Sequence, residues 1–106
     1  MTNLLLLLFS LFQGRYYWPV NIDDMAAGRN QHTHVQIVGI VTLVRHELDG
    51  DTHIKVVGKI GFVIAECIPA LPCAKPVVGQ RVTVQGIARF DGEHKWYEVH
   101  PVESIK

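Results

Sequence analysis

His34-Val35-Gln36-Ile37-Val38-Gly39-Ile40-Val41-Thr42-Leu43-Val44-Arg45 is the stretch whose reading decides the fold. Apolar residues alternate on both of its registers, Val35, Ile37, Val41 and Leu43 on one and Val38, Ile40 and Val44 on the other. Gly39 at its centre lets such a strand bend sharply and serve two halves of one sheet, as at a barrel corner. Outward from this strand, Asp49-Gly50 reads as a hairpin turn into Thr52–Val57, where Ile54 and Val56 alternate with His53 and Lys55. Gly58 and Gly61 bracket a second turn into Phe62–Cys67. Arg81–Arg89 follows with Val82 and Val84 inward, and Asp91-Gly92 turns the chain into Lys95–His100. That last strand puts Tyr97 and Val99 on one face and Trp96, Glu98 and His100 on the other, and Pro101 is expected to end it. Five short strands in this order predict a small all-β barrel.

The chain has 106 residues, 48% hydrophobic and 19% charged, which fits one globular domain and leaves no room for a second. Ten Lys and Arg balance ten Asp and Glu, so no global field draws the protein onto a phosphate backbone or an anionic membrane, and any site for a polyanion must be local. The six histidines make the net charge turn positive in mild acid.

Ile68–Pro76 carries three prolines in nine residues, which rules out a regular helix or an inner strand and predicts a rigid loop. Cys67 and Cys73 flank most of it. Their spacing is neither a redox nor a zinc-knuckle motif, so the choice between a short-loop disulfide and two thiols stays open.

Leu4–Phe12 is nine residues long, against the roughly 20 needed to cross a bilayer, so no transmembrane span is expected. Two readings fit: the apolar core of an export signal, though without a basic start or a small-residue cleavage site, and a retained packing or assembly element. The first would make the protein exported or cell-surface, the second cytoplasmic. In the assembly reading the contact residues are Leu4, Leu5, Leu6, Leu7, Leu8, Phe9, Leu11 and Phe12, together with Tyr16, Tyr17 and Trp18, and the chain is a homo-oligomer. The expected organisation is an apolar segment 1–14, a lead-in arm 15–33 with one helical turn over Asp23–Gly28, and a barrel 34–106.

The order of a glycine-kinked long strand, an Asp-Gly hairpin and short strands, followed by Val78-Gly-Gln-Arg-Val-Thr-Val-Gln-Gly-Ile87, resembles an OB-fold domain. The tail from Phe90 to Val102 is similar to that of small uncharacterised bacterial OB-fold proteins, some of them exported. The resemblance covers about His34 to Ile105 and implies a five-stranded Greek-key barrel carrying an N-terminal apolar arm. It also implies a ligand face across the second and third strands, flanked by the loops between strands one and two and between strands four and five. The chain departs from the pattern in lacking a basic excess and in having a proline-rich loop where many such barrels insert a helix.

Carried onto this chain, that face offers Arg45, His53, Lys55, Arg89, Phe90, Lys95 and Trp96, with His46 and His94 at its rim. Cations beside aromatic platforms are what single-stranded nucleic acid or another anionic polymer requires. His32-x-His34 places two imidazoles on one side of an extended segment, to which Glu66, Glu98 and His100 could add ligands if their strands adjoin it. That spacing is too common to assign a metal, and none is assigned. No nucleophile with a base, no phosphate loop and no cofactor motif is present, so the expectation is a non-catalytic binding module without a cofactor.

Overall fold

The computed structural model describes residues 15–71 and 73–106. The Leu4–Phe12 assembly or signal element therefore lies outside the described residues. In chain order the elements are β1 (Trp18–Pro19), α1 (Ile22–Ala26), β2 (His34–His46), β3 (Thr52–Val57), β4 (Phe62–Cys67), β5 (Arg81–Asp91) and β6 (Trp96–Ile105). No helix among the described residues is long and apolar enough to cross a membrane.

β2 is the strand on which closure depends. Its first half, His34–Ile40, pairs antiparallel with β5, and its second half, Ile40–His46, pairs antiparallel with β3. β3 then pairs with β4, β4 runs parallel to β6, and β6 pairs antiparallel with β5, which closes a five-stranded OB-like barrel. β1 adds a sixth strand, parallel to the start of β2. Gly39 sits where β2 passes from one partner to the other, and a Cβ there would collide with the Ile22 side chain and the Val57 carbonyl oxygen.

The interior is filled from each of the five barrel strands by Val35, Ile37, Val41, Ile54, Val56, Val63, Ala65, Val82, Val84, Val99 and Val102, all at most 1% exposed. β-Branched residues suit this pleated, curved wall. α1 brings Ile22 and a fully buried Met25 into the same core. Its start is capped by Asn21, whose side chain accepts from the Asp23 and Asp24 amides. Its Asp23 carboxylate accepts from the Lys59, Ile60 and Gly61 amides and so pins the β3–β4 turn.

The lead-in is tied down at several points. Tyr17 donates to Glu103 at 3.0 Å, and Trp18 stacks on His32 with ring centroids 4.6 Å apart. Residues 68–80 form no helix among those described, and Cys67 is disulfide-bonded to Cys73, which resolves the choice the sequence left open.

Two strand-level expectations are corrected. The pairing of β2 with β3 slips between Val41 and Leu43, and this bulge inverts the alternation, so that Leu43 is 45% exposed while Val44 packs on the core. Pro101 does not end the last strand, because β6 continues to Ile105. The β5–β6 register shifts between Gly86 and Ala88, and at such an irregularity a residue without an N–H leaves no ladder bond unmade.

A candidate binding cleft over a row of carboxylates and histidines

Strand register assembles the site. Arg45 on β2 pairs with His53 on β3, and His53 pairs with Glu66 on β4. Glu66 meets His100 on β6, because the parallel pairing of Ala65 with Val99 sets the next residues side by side. Four strands thus contribute one outward-facing side chain each to a continuous row. A second row runs beside it through Lys55, Ile64, Glu98 and Arg89. On β3, β4 and β6 the two rows are two residues apart, which is why both face the same way.

The contacts within these rows are close and mostly charge-assisted. His53 Nε2 lies 3.0 Å from Glu66 Oε1, and His100 Nδ1 lies 3.2 Å from Glu66 Oε2 and 3.5 Å from Glu98 Oε1. Glu98 is fully buried and accepts from Arg89 Nε at 3.1 Å and from Trp96 Nε1 at 2.9 Å. Burial pushes the Glu66 carboxyl above the usual carboxylate range, helped by Asp51, which lies within hydrogen-bonding reach and favours a shared proton. Nδ1 of both His53 and His100 is buried and makes no hydrogen bond.

Above the first row lies an open cleft of about 440 Å³. The turn Glu47–Asp49 forms one wall, Asp91 and His94 form the other, and Arg45, His53, Glu66 and Arg89 lie across the floor. Asp91 accepts from the amides of Glu93 and His94 and holds the His94 ring at 2.8 Å. The histidine bond lowers the Asp91 pKa to about 2, and the same contact raises that of His94.

Of the seven residues expected on the ligand face, Arg45, His53 and Arg89 share this cleft. Lys55 is in the adjoining row with its Nζ 4.4 Å from the centre of the Phe62 ring. Trp96 is sandwiched, stacked on His94 at 4.4 Å and edge-on to Phe62 at 6.1 Å. Phe90 is half exposed, but strand alternation turns it away from Arg89 and tilts it against Tyr97 at 4.9 Å. Lys95 lies in the β5–β6 turn with a positive φ and does not line the cleft.

The sequence reading raised Glu66 and Glu98 only as ligands beside His32 and His34, and it missed that they, with Glu47 and Asp51, lie on this face. Arg45 is paired with Glu47 at 2.8 Å and Arg89 with Glu98, so neither guanidinium is free. The signal was present in the alternation of Glu66 and Glu98 with core residues, since an acid on the covered face of a central strand must find a partner. His32 and His34, by contrast, engage Trp18 and Tyr17 and belong to no group of three metal-ligating side chains among the described residues. No family model and no curated protein matches the chain.

Proposed function

We propose that this chain is a non-catalytic binding module of the OB-fold type that holds an extended polymer, with single-stranded nucleic acid as the first candidate, in the cleft between its β2–β3 and β5–β6 turns. The observation that carries the reading is convergence: Arg45, His53 and Arg89, from three different strands, line one open cleft between two hairpin turns. The wall of a small OB-type barrel between two hairpin loops is a common ligand site.

The paired state of the two arginines sets the character of the interaction. A phosphate entering the cleft shares each guanidinium with a carboxylate, so electrostatics contribute little beyond two contacts. With about two phosphates neutralised, log affinity should fall with log salt with a slope of roughly −1.4 for a single strand. Fluorescence anisotropy of labelled single-stranded DNA and RNA at two salt concentrations measures this directly. Arg45→Ala, which removes an exposed ion pair and no core contact, should weaken binding. Absence of saturation, or unchanged affinity in that variant, refutes the proposal.

A second reading, self-assembly, draws on Tyr16 and Trp18, which are 51% and 50% exposed next to the point where residues 1–14 join. Removing residues 1–14 should lower the mass seen by light scattering, and an unchanged mass rejects it.

A further inference from the structure

We infer that Asp51, Glu66 and His100 bind one divalent transition-metal cation, of the Zn²⁺ or Mn²⁺ type, beneath the floor of the cleft, with His53 positioning the Glu66 carboxylate. This goes beyond the polymer-binding reading and does not depend on it.

Three independent features of the cluster converge on a cation. The first is geometry: one ligand atom from each of Asp51, Glu66 and His100 lies within 4.8 Å of the others. Donors on one such ion sit at ~2.0–2.2 Å from it, so binding requires the three side chains to draw inward by a modest shift. The second is charge. Arg89 pairs with Glu98 and Arg45 with Glu47, whereas Asp51 and Glu66 have no lysine or arginine partner among the described residues. Two neighbouring carboxylates with no lysine or arginine between them match the charge of one divalent ion when the flanking histidines are neutral.

The third feature is an unmade hydrogen bond. His100 Nδ1 is buried and faces the Glu66 and Glu98 oxygens at 3.2 and 3.5 Å, yet has no bond of acceptable direction to either. A buried imidazole nitrogen that makes no hydrogen bond and faces two carboxylates can serve as a metal ligand in the tautomer that leaves it unprotonated. His53 completes the arrangement from the second layer. Its Nε2 lies 3.0 Å from Glu66 Oε1, so that Nε2–H can donate there and leave Oε2 directed at the ion.

The donor set fixes the class of metal. One imidazole nitrogen and two carboxylates suit Zn²⁺, Mn²⁺ and their first-row neighbours, while Ca²⁺ prefers oxygen alone. Soft thiolate ligation is absent from this cluster, since Cys67 and Cys73 are consumed in their disulfide.

The test is calorimetric titration of the full chain, stripped with chelator and dialysed, with zinc or manganese chloride alone. One equivalent should saturate. Glu66→Gln and Asp51→Asn should each weaken binding by at least the roughly 10–100-fold that loss of a mere outer-layer partner causes, and His32→Asn should leave it unchanged. Trp96 supplies a second readout because its indole is bonded to Glu98 beside His100. In a Trp18→Phe background, Mn²⁺ should quench Trp96 fluorescence, and Asp51→Asn should abolish the quenching. Failure of both metals to reach one-to-one saturation overturns the inference. So does an affinity unmoved by Glu66→Gln and Asp51→Asn in variants whose circular dichroism matches the parent. Loss of polymer binding in a separate titration would count only against the cleft reading.

Discussion

Removing Arg89 should cost far more stability than neutralising the acid it pairs with, although both changes break the same ion pair. Glu98 is 0% exposed, while half of the Arg89 side chain reaches solvent. Arg89→Ala leaves a buried carboxylate with the Trp96 indole as its remaining directed donor, and stranding a charge in that way costs about 3–5 kcal/mol. Glu98→Gln keeps the volume and keeps an oxygen for Trp96, and the freed guanidinium turns to water. The loss is then one solvent-screened, charge-assisted hydrogen bond, about 1–2 kcal/mol. In urea, with a slope of about 1.5 kcal/mol/M for a chain of this size, the midpoints should fall by roughly 2–3 M and by roughly 1 M respectively. The double variant should be more stable than Arg89→Ala alone, because the stranded charge is gone. If Glu98→Gln destabilises as much as Arg89→Ala, or the double variant is the least stable of the three, the account of Glu98 as a compensated buried charge is wrong.

Two further outcomes follow from the loops. Cys67 and Cys73 close a loop of sequence separation 6, so replacing both by Ser should cost about 2 kcal/mol through the entropy of the unfolded chain. Denaturant midpoints unaffected by reductant would contradict this. In the β5–β6 turn, Asp91 is depressed to about 2 from 3.8, so its contribution is complete above pH 3.8 and is lost as pH falls through about 2. His94 is raised above 6.5, so its contribution is complete below pH 6.5 and is lost as pH rises through the elevated value. His94→Ala should therefore flatten the stability profile at both ends, and a curve parallel to the parent's would rule out the pair as its source.

The barrel was legible because its information is local. Asp49-Gly50 and Asp91-Gly92 mark turns by backbone preference, and the alternation of His53 and Lys55 with Ile54 and Val56 marks one dry face. The bounds Thr52–Val57 and Phe62–Cys67 are those the sequence predicts. The reading of Leu43 failed because a bulge is a property of two strands, and nothing in β2 by itself records that β3 slips past it. Pro101 misled for the same reason, since its tolerance comes from the irregular partner at Gly86.

The site was legible only in half. Arg45, His53 and Arg89 are residues that the resemblance to an OB-fold domain implies for the ligand face, and they do share a cleft. Their neutralisation by Glu47 and Glu98, and the gathering of Asp51, Glu66 and His100, depend on which strands adjoin and in what register. Glu66 and His100 are more than thirty positions apart in the chain and meet only because β4 and β6 run parallel, a pairing that no turn between them dictates. By itself the sequence determined the five barrel strands, their turns and the inward faces of the regular ones, because side-chain period and turn chemistry act over a few residues. The tertiary structure alone decided which outward charges meet, because ion pairing acts across strands whose order is fixed only when the barrel closes.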